Sequence, residues 1–443
     1  MNIQLSEHFN YTKLMRFTLP TITMMIVTSL YSVVDGIFVS NVLGSEAFAA
    51  VNLIFPFPMM LSAVGFMIGT GGSALVSMTL GEGKKQKANE YFSMLVAFVG
   101  VAGVLLTILG IAFIRPISML LGAEGELLEG CVIYGSSLML GLAPFMLQNC
   151  FQSFLVTAER PKLGLGISIA AGLTNMVLDF LFIYVFPWGL VGAAAATALS
   201  QVVGGVIPLI YFWRKNTSLL QLVRFRLEWK PILKSCANGS SEMLTNLSTS
   251  LLNMLYNLQL MRLVGENGVS AYGVIMYVSF IFTGTYLGYA IGAAPIVGYH
   301  YGAGNKKELK SLLRKSLLLI TAVAVGLTAL SEILSEGLAG IFVSYDRELM
   351  EMTKIAIQIY SLSYLISGFN IFGSAFFTAL NDGPVSALIS FVRTLLFQIV
   401  MILVLPALFG LNGVWFAVVA AEALALLVTI ICFVVKRKKY QYF

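Results

Sequence analysis

The sequence predicts an all-α integral membrane protein, in which twelve transmembrane helices form two pseudo-symmetric six-helix bundles. Three observations lead to this prediction. Hydrophobic residues make up 58% of the chain and charged residues only 11%, whereas soluble proteins carry about 25% charged residues. The apolar residues form long continuous runs, without the alternation of polar and apolar positions that is typical of a membrane β-barrel. Motifs of the first half of the chain also recur in the second half.

Twelve segments are long and apolar enough to be membrane spans, each of which needs about 20 mostly apolar residues. Turn-forming or charged residues separate them. We predict spans at residues 13–40, 47–79, 91–114, 130–157, 163–186, 190–213, 236–263, 269–300, 312–335, 351–379, 385–409 and 411–435.

The Lys and Arg residues predict the orientation of these spans, because the cytoplasmic loops of membrane proteins carry an excess of both. Most of the 27 basic residues lie before the first span, after the last span and in alternate loops between them. We therefore expect a multi-pass protein of the plasma (cytoplasmic) membrane with both termini in the cytoplasm. The net charge of +6 reflects this bias, and we predict no interaction with nucleic acid.

The second half of the chain repeats the first half at a fixed distance. The motif "LGEGKKQKANE" (80–90) resembles "YGAGNKKELKS" (301–311), and glycines 44, 81 and 189 match glycines 265, 302 and 410, each pair being 221 residues apart. Parallel repeats are a transporter architecture in which the substrate site lies between the halves. We predict an N-terminal lobe at 1–215, a cytoplasmic linker at 216–235 and a C-terminal lobe at 236–443.

Four oxygen-bearing side chains inside the predicted spans of the first half can share one pocket. Asn175 and Asp179 are one helical turn apart and therefore lie on the same face of their helix. Asp179 and Thr197 are each nine residues from Trp188, so they lie at similar depth on neighbouring helices, and Asp35 reaches a comparable depth in the first span. A charge within the membrane is costly and usually faces a cavity or a partner.

Carboxylate, amide and hydroxyl oxygens suit a hard cation such as Na⁺, or they can hold a proton. Two adjacent carboxylates in a low-dielectric pocket do not both ionise easily, and such a pocket can exchange a proton for a cation. The alternative interpretation is structural, with Asn and Thr side chains that hydrogen-bond the helices together. We predict a cation-coupling site, holding Na⁺ only if the protein is sodium-coupled, at Asp35, Asn175, Asp179 and Thr197.

The repeat indicates that this site belongs to the first half alone. An additional polar cavity is predicted from other polar residues of the spans, and we interpret Arg393 as a paired or snorkelling charge. His300, a lone histidine at a cytoplasmic boundary, is expected at the surface. The equivalents of the four site residues, 221 positions later, are Tyr256, Leu396, Val400 and Val418. The residues predicted for the additional cavity are Asn149, Gln152, Glu242 and Asn370.

The motifs "FTLPTI", "VDGIFVSNVLG", "GAGNKKE" and "NMVLDFLFIYVFPWGLVGAAAATALSQ" resemble those of the multidrug and toxic compound extrusion (MATE) family. The resemblance covers essentially the whole chain. In family members with an acidic N-lobe it implies that Asp35 and Asp179 are the coupling-ion carboxylates, that Asn175 and Thr197 are their polar partners, and that Gln152 or Asn149 is another. Other members use acids in helices seven and ten. Here the tenth helix has no acid after Glu351, so the resemblance does not extend to a sodium site in the C-lobe.

We predict a secondary active antiporter that exports amphipathic, mainly cationic compounds in exchange for H⁺ or Na⁺ by alternating access. It would need no cofactor beyond the coupling ion and would act as a monomer. A lipid-linked oligosaccharide flippase of the same superfamily is the alternative, but several buried basic residues would then be expected, and Arg393 is the only one. No HExxH or GxSxG motif indicates an intramembrane enzyme.

Overall fold

The protein is almost entirely helical, as the sequence predicts. The structure is a computed structural model that describes residues 3–38, 42–43, 45–344 and 346–442. Helices account for 88% of the chain, and no β-strand occurs in the described ranges.

Fifteen α-helices and two π-helical segments follow one another along the described chain. The π-helical segments are Phe180–Val185, directly after α7, and Val392–Leu396, directly after α14. The α-helices are α1 Tyr11–Phe38, α2 Ser45–Ile54, α3 Pro56–Gly81, α4 Lys85–Leu120, α5 Gly125–Met139, α6 Leu142–Thr157, α7 Pro161–Asp179, α8 Gly189–Trp213, α9 Trp229–Val264, α10 Glu266–Gly302, α11 Lys306–Val343, α12 Arg347–Ser361, α13 Tyr364–Ala379, α14 Gly383–Phe391 and α15 Phe397–Tyr440.

Eight helical stretches within the described residues are long and apolar enough to cross a membrane, and ten if each bent helix pair counts as one span. The bent pairs are α5 with α6, at 55°, and α12 with α13, at 47°. One of the eight stretches, Gly383–Tyr440, contains a break at Gly410, whose φ of 59° is not helical. The chain is therefore a multi-pass membrane protein, while the count of twelve spans stays a prediction.

The helices on either side of the central linker differ slightly from the prediction. Helix α8 ends at Trp213 and α9 begins at Trp229, seven residues before the predicted span. Helix α9 is not among the eight apolar stretches, because polar residues such as Asn238, Glu242 and Asn246 lower its hydropathy.

Helices of the first half pack closely against helices of the second half where glycines remove the side chain. On α3, a Cβ atom at Gly71 would collide with the carbonyl oxygen of Ser235 on α9. On α9, a Cβ atom at Gly239 would collide with the carbonyl oxygen of Met67. The two helix backbones are thus in direct contact here.

The repeat predicted from the sequence is visible in a second contact of this kind. Gly81, at the end of α3, lies against the carbonyl oxygen of Tyr299, and Gly302, at the end of α10, lies against that of Met78. Both the two glycines and the two carbonyl donors are 221 residues apart. The contact is therefore reciprocal, as expected for two copies of one structural unit.

The segment before α1 lies across the same end of the molecule and bridges the two halves. The backbone N–H of Leu5 donates to Glu159 Oε1 at 2.6 Å, and the N–H of Phe9 donates to Glu308 Oε1 at 2.9 Å. His300 packs edge-on against the Phe9 ring, with 6.5 Å between ring centroids, and is only 2% exposed. The expectation of a surface His300 is wrong because this segment covers it.

Candidate coupling site

Asp179 lies at the point where α7 changes from α-helical to π-helical geometry. The π-helical segment begins at the next residue, Phe180. Such segments occur frequently at functional sites. Asp179 and Asn175, one turn earlier, are 0% and 1% exposed, so both polar groups lie inside the protein.

The structure brings the four predicted site residues together from three helices. The carboxyl group of Asp35, on α1, contacts the carboxyl group of Asp179 and the amide of Asn175. Asn175 Nδ2 lies 3.5 Å from Thr197 Oγ1 on α8, at the limit of a hydrogen bond. The Thr197 hydroxyl also donates to the carbonyl oxygen of Ala193 at 3.1 Å. The sequence placed these residues correctly, while their role in coupling stays a prediction.

The oxygen atoms of this group are only partly satisfied by the described protein atoms. Both carboxyl oxygens of Asp179, Oδ1 of Asp35 and Oδ1 of Asn175 are buried without a hydrogen-bond donor among them. Buried polar atoms are paired in the great majority of cases, and each exception calls for an explanation. A proton or a cation supplies what these oxygens lack. The purely structural alternative explains them poorly, because a structural hydrogen-bond network would fill them.

Three further polar residues surround the carboxyl pair and were not predicted. Tyr134, on α5, is buried and close enough to both aspartates to interact with their charge. Tyr31, one turn before Asp35 on α1, hydrogen-bonds Gln148 on α6. The helical spacing between Tyr31 and Asp35 could have identified Tyr31. Tyr134 and Gln148 carry no such signal, since they come from helices distant in sequence.

The first-half members of the predicted additional cavity lie on α6. Asn149 and Gln152 are both buried, and Asn149 Nδ2 and Gln152 Oε1 have no partner among the described residues. Gln152 is one turn beyond Gln148, which places the two on one helical face. No contact joins Asn149 or Gln152 to the carboxyl pair within the described part of the chain.

The second-half members belong to a different network, centred on Glu422. Arg393 Nε donates to both carboxyl oxygens of Glu422, at 2.9 and 3.1 Å. Asn370 donates to Glu422 Oε2 at 2.7 Å and accepts a hydrogen bond from Thr429 at 2.8 Å. Arg393 is thus a paired charge, as predicted, and Asn370 lies inside this network with none of its surface exposed. Glu242, on α9, is partly exposed and close enough to Arg393 to feel its charge.

The arrangement bears on two of the function classes. Among the described residues, no three His, Cys, Asp or Glu side chains form a metal-binding cluster, so the candidate ion site consists of two carboxylates with amide and hydroxyl oxygens. Arg393, the buried basic residue, is neutralised by Glu422. An anionic pyrophosphate of a lipid-linked saccharide would find no free cation there, which disfavours the flippase alternative.

Comparison with known proteins identifies the family. The chain is 24% identical over 421 residues to the multidrug export protein MepA of Staphylococcus aureus (strain NCTC 8325 / PS 47), covering 94% of this chain and 92% of MepA. It is 24% identical over 419 residues to MepA of Staphylococcus saprophyticus, covering 94% and 91%.

Two solved structures show the same fold. A MATE protein crystallised in complex with MaL6 superimposes with a TM-score of 0.93 at 24% identity, over 98% of both chains. The outward-facing conformation of a multidrug resistance MATE family transporter of the MOP superfamily gives a TM-score of 0.93 at 24% identity, over 100% of this chain and 99% of that one. The profile of the MatE family matches twice, at residues 20–181 and 243–404. The chain belongs to the MatE family.

Proposed function

We propose that this protein is a secondary active antiporter that exports amphipathic, mainly cationic drugs or toxic compounds in exchange for H⁺ or Na⁺. The observation that carries the proposal is the buried pair Asp35 and Asp179, whose oxygens lack protein donors. The export function of the MepA relatives and the family membership support the substrate class. No cofactor is required beyond the coupling ion.

The carboxyl pair and the drug compete in this mechanism. When the site faces the outside, Asp35 and Asp179 take up a proton or Na⁺, which weakens the hold of the negatively charged pocket on a cationic drug. When the site faces the cytoplasm, the ion leaves and the drug binds again. Each positive charge that moves inward gains about 2.3 kcal/mol per 100 mV, enough for roughly fortyfold accumulation.

Alternating access requires that the two halves separate at one face and close at the other. The glycine contacts between α3 and α9 and between α3 and α10 support a closed state at the face with the basic loops. The segment from Leu5 to Phe9 adds hydrogen bonds to both halves at the same face. The likeness to an outward-facing MATE structure agrees with this assignment.

We further propose a layout of two lobes, residues 1–215 and 236–443, joined by a cytoplasmic linker at 216–235. Twelve spans result if Gly410 separates two spans within α15 and if the polar helix α9 also crosses the membrane. The double match of the family profile supports the two lobes. In this layout both termini lie in the cytoplasm, the protein resides in the plasma membrane, and it works as a monomer.

Efflux of a fluorescent cation from proteoliposomes tests the proposal. The wild-type protein and Asp179→Asn are compared under an imposed proton gradient, a sodium gradient and neither, with Glu336→Gln, an exposed acid outside the site, as the control. We expect one of the two gradients to drive export by the wild type and the control, and neither to drive export by Asp179→Asn. Undiminished gradient-driven export by Asp179→Asn, or wild-type transport indifferent to both gradients, would contradict the proposal.

A further inference from the structure

A strongly basic recess lies between the start of α11 and the end of α15. Its volume is about 790 Å³. No acidic residue lines it, and none of its five cationic side chains forms an ion pair in the described part of the chain. The lining residues are Lys306, Lys307, Lys310, Arg437, Lys438 and Gln441.

The C-terminal wall of this recess is held in place by contacts on its other side. Lys436 and Lys439 lie 3.2 and 3.5 Å from Asp382 Oδ2, and the Tyr440 hydroxyl donates to the same oxygen at 2.6 Å. Residues 436, 439 and 440 share one face of α15, so Arg437 and Lys438 point elsewhere. The acid therefore neutralises the neighbours of the recess and leaves the recess itself cationic.

The first half contains the equivalent recess in a nearly neutral form. It has a volume of about 380 Å³ and is lined by Lys85, Gln86, Asn89 and Glu90, together with Val223 and Arg224 of the linker. Lys85, Gln86 and Asn89 stand 221 residues before Lys306, Lys307 and Lys310. Two of the three lysines are thus uncharged amides in the first half.

The linker also occupies the first-half recess. The N–H of Gln221 donates to Asn89 Oδ1 at 3.0 Å, and the N–H of Val223 donates to Ser93 Oγ at 2.8 Å. Nothing in the described residues fills the second-half recess in this way. The general excess of basic residues at a cytoplasmic face does not explain why only one of two equivalent recesses is open and cationic.

We propose that the recess of α11 and α15 binds the phosphate-bearing headgroup of an anionic phospholipid. It lies at the first turn of one membrane-spanning helix and the last turn of another, which is where a lipid headgroup lies. Basic pockets between transmembrane helices bind such headgroups. Ile431 and Val435 lie one and two turns before Lys438 on the same side of α15, and both are highly exposed, Val435 by 68%. They give the acyl chains an apolar surface that a free phosphate would not use.

Reconstitution in phosphatidylcholine bilayers with a trace of spin-labelled cardiolipin tests this site in the full-length protein. The fraction of motionally restricted label gives its association relative to spin-labelled phosphatidylcholine. The variant Lys307→Gln/Lys310→Asn installs the first-half residues at these two positions. At about 1 kcal/mol per basic residue near the membrane surface, we expect roughly thirtyfold weaker association. Arg437→Gln/Lys438→Gln, on the opposite wall, should weaken it similarly.

The control Lys85→Gln/Arg224→Gln removes two positive charges from the first-half recess and should keep wild-type association. An equal loss in this control would show attraction by net charge alone and would overturn the site, as would unchanged association in either recess variant. Inorganic phosphate at millimolar concentration separates the two sources of the ligand. Persistence of the lipid signal supports the proposal, whereas complete release, with phosphate binding to the protein in detergent, would assign the site to free phosphate. All substituted side chains are exposed, so unfolding does not confuse the outcomes.

Discussion

In the first half of the chain the buried acids Asp35 and Asp179 lie against each other, whereas in the second half Glu422 lies between Arg393 and Asn370. The aspartates leave oxygens without donors, and the glutamate receives hydrogen bonds on both of its oxygens. The two halves have a common architecture, yet a buried acid has opposite surroundings in each. A carboxylate whose positions are filled by the protein stabilises the fold, and one that is left unfilled can bind an ion.

The largest expected effect on stability follows from the filled site. Arg393→Met leaves the Glu422 carboxylate buried without its positive partner, which costs about 3–5 kcal/mol in comparable cases. We expect a large fall in the temperature of thermal unfolding in detergent. Asp179→Asn, by contrast, removes a charge that has no protein donor and should not lower that temperature. Equal destabilisation by the two variants would contradict the distinction between a structural and a functional acid.

The contact between the halves should respond next most strongly. Gly71→Ala places a methyl group against the Ser235 carbonyl, and such overpacking costs about 1–3 kcal/mol, so we expect the closed state to lose population by about tenfold. Cys236 is a natural reporter, because it adjoins Ser235 and is partly exposed while the other cysteines are buried. Its rate of labelling by a maleimide should rise in Gly71→Ala.

Gly326→Ala is the matched control for this substitution, since nothing lies within 4 Å of a Cβ atom at that position. Its labelling rate should equal that of the wild type. A rate that is unchanged in Gly71→Ala as well would mean that the contact between α3 and α9 does not hold the halves together.

The smallest effects concern two acids in the turns between α6 and α7 and between α13 and α14. Burial raises the pKa of Glu159, even though the N–H of Leu5 donates to it. For Asp382, burial acts in the same direction, but the Tyr440 hydroxyl and the ammonium groups of Lys436 and Lys439 outweigh it and hold the pKa below its ordinary value. The two acids should therefore give stability opposite dependences on pH.

A raised pKa means that the folded state holds its proton more tightly than the unfolded state, so the Glu159 contribution to stability grows as pH falls through its raised pKa and is lost at higher pH. The Asp382 contribution is complete above the unfolded pKa of about 3.8 and is lost as pH falls below it. Thermal unfolding of Glu159→Gln and Asp382→Asn across this range measures both. We expect the first variant to lose less stability than the wild type as pH rises, and the second to lose less as pH falls. A parallel pH dependence in both variants would refute the assignment.

Local spacing made much of the site in the first half predictable. One helical turn joins Asn175 to Asp179, and a short turn places Thr197 at the same depth, so the distances follow from helix geometry. The partners of Arg393 were not predictable in this way, because Glu422 and Asn370 come from other helices, and the rotation of each helix depends on packing. The same reason hid Tyr134. The bends between α5 and α6 and between α12 and α13 also escaped prediction, since each lies within one continuous apolar run.

The repeat extended the reach of the sequence beyond local spacing. It predicted the loss of acids at the second-half equivalents of Asp35 and Asp179, and the structure confirms its register through the reciprocal contacts of Gly81 and Gly302. It did not reveal that the linker fills only the first-half recess. That difference depends on the path of an irregular segment, for which the sequence carries no periodic signal.

The dependence of drug binding on the coupling ion tests the central claim most directly. The affinity of the purified protein for a fluorescent cationic drug is measured while the concentration of H⁺ or Na⁺ is varied. We predict that the wild type and Glu242→Gln bind the drug more weakly as the coupling ion increases, whereas Asp35→Asn and Asp179→Asn bind it weakly at every ion concentration. Wild-type ion dependence in both aspartate variants would contradict the claim that this carboxyl pair couples ion and drug.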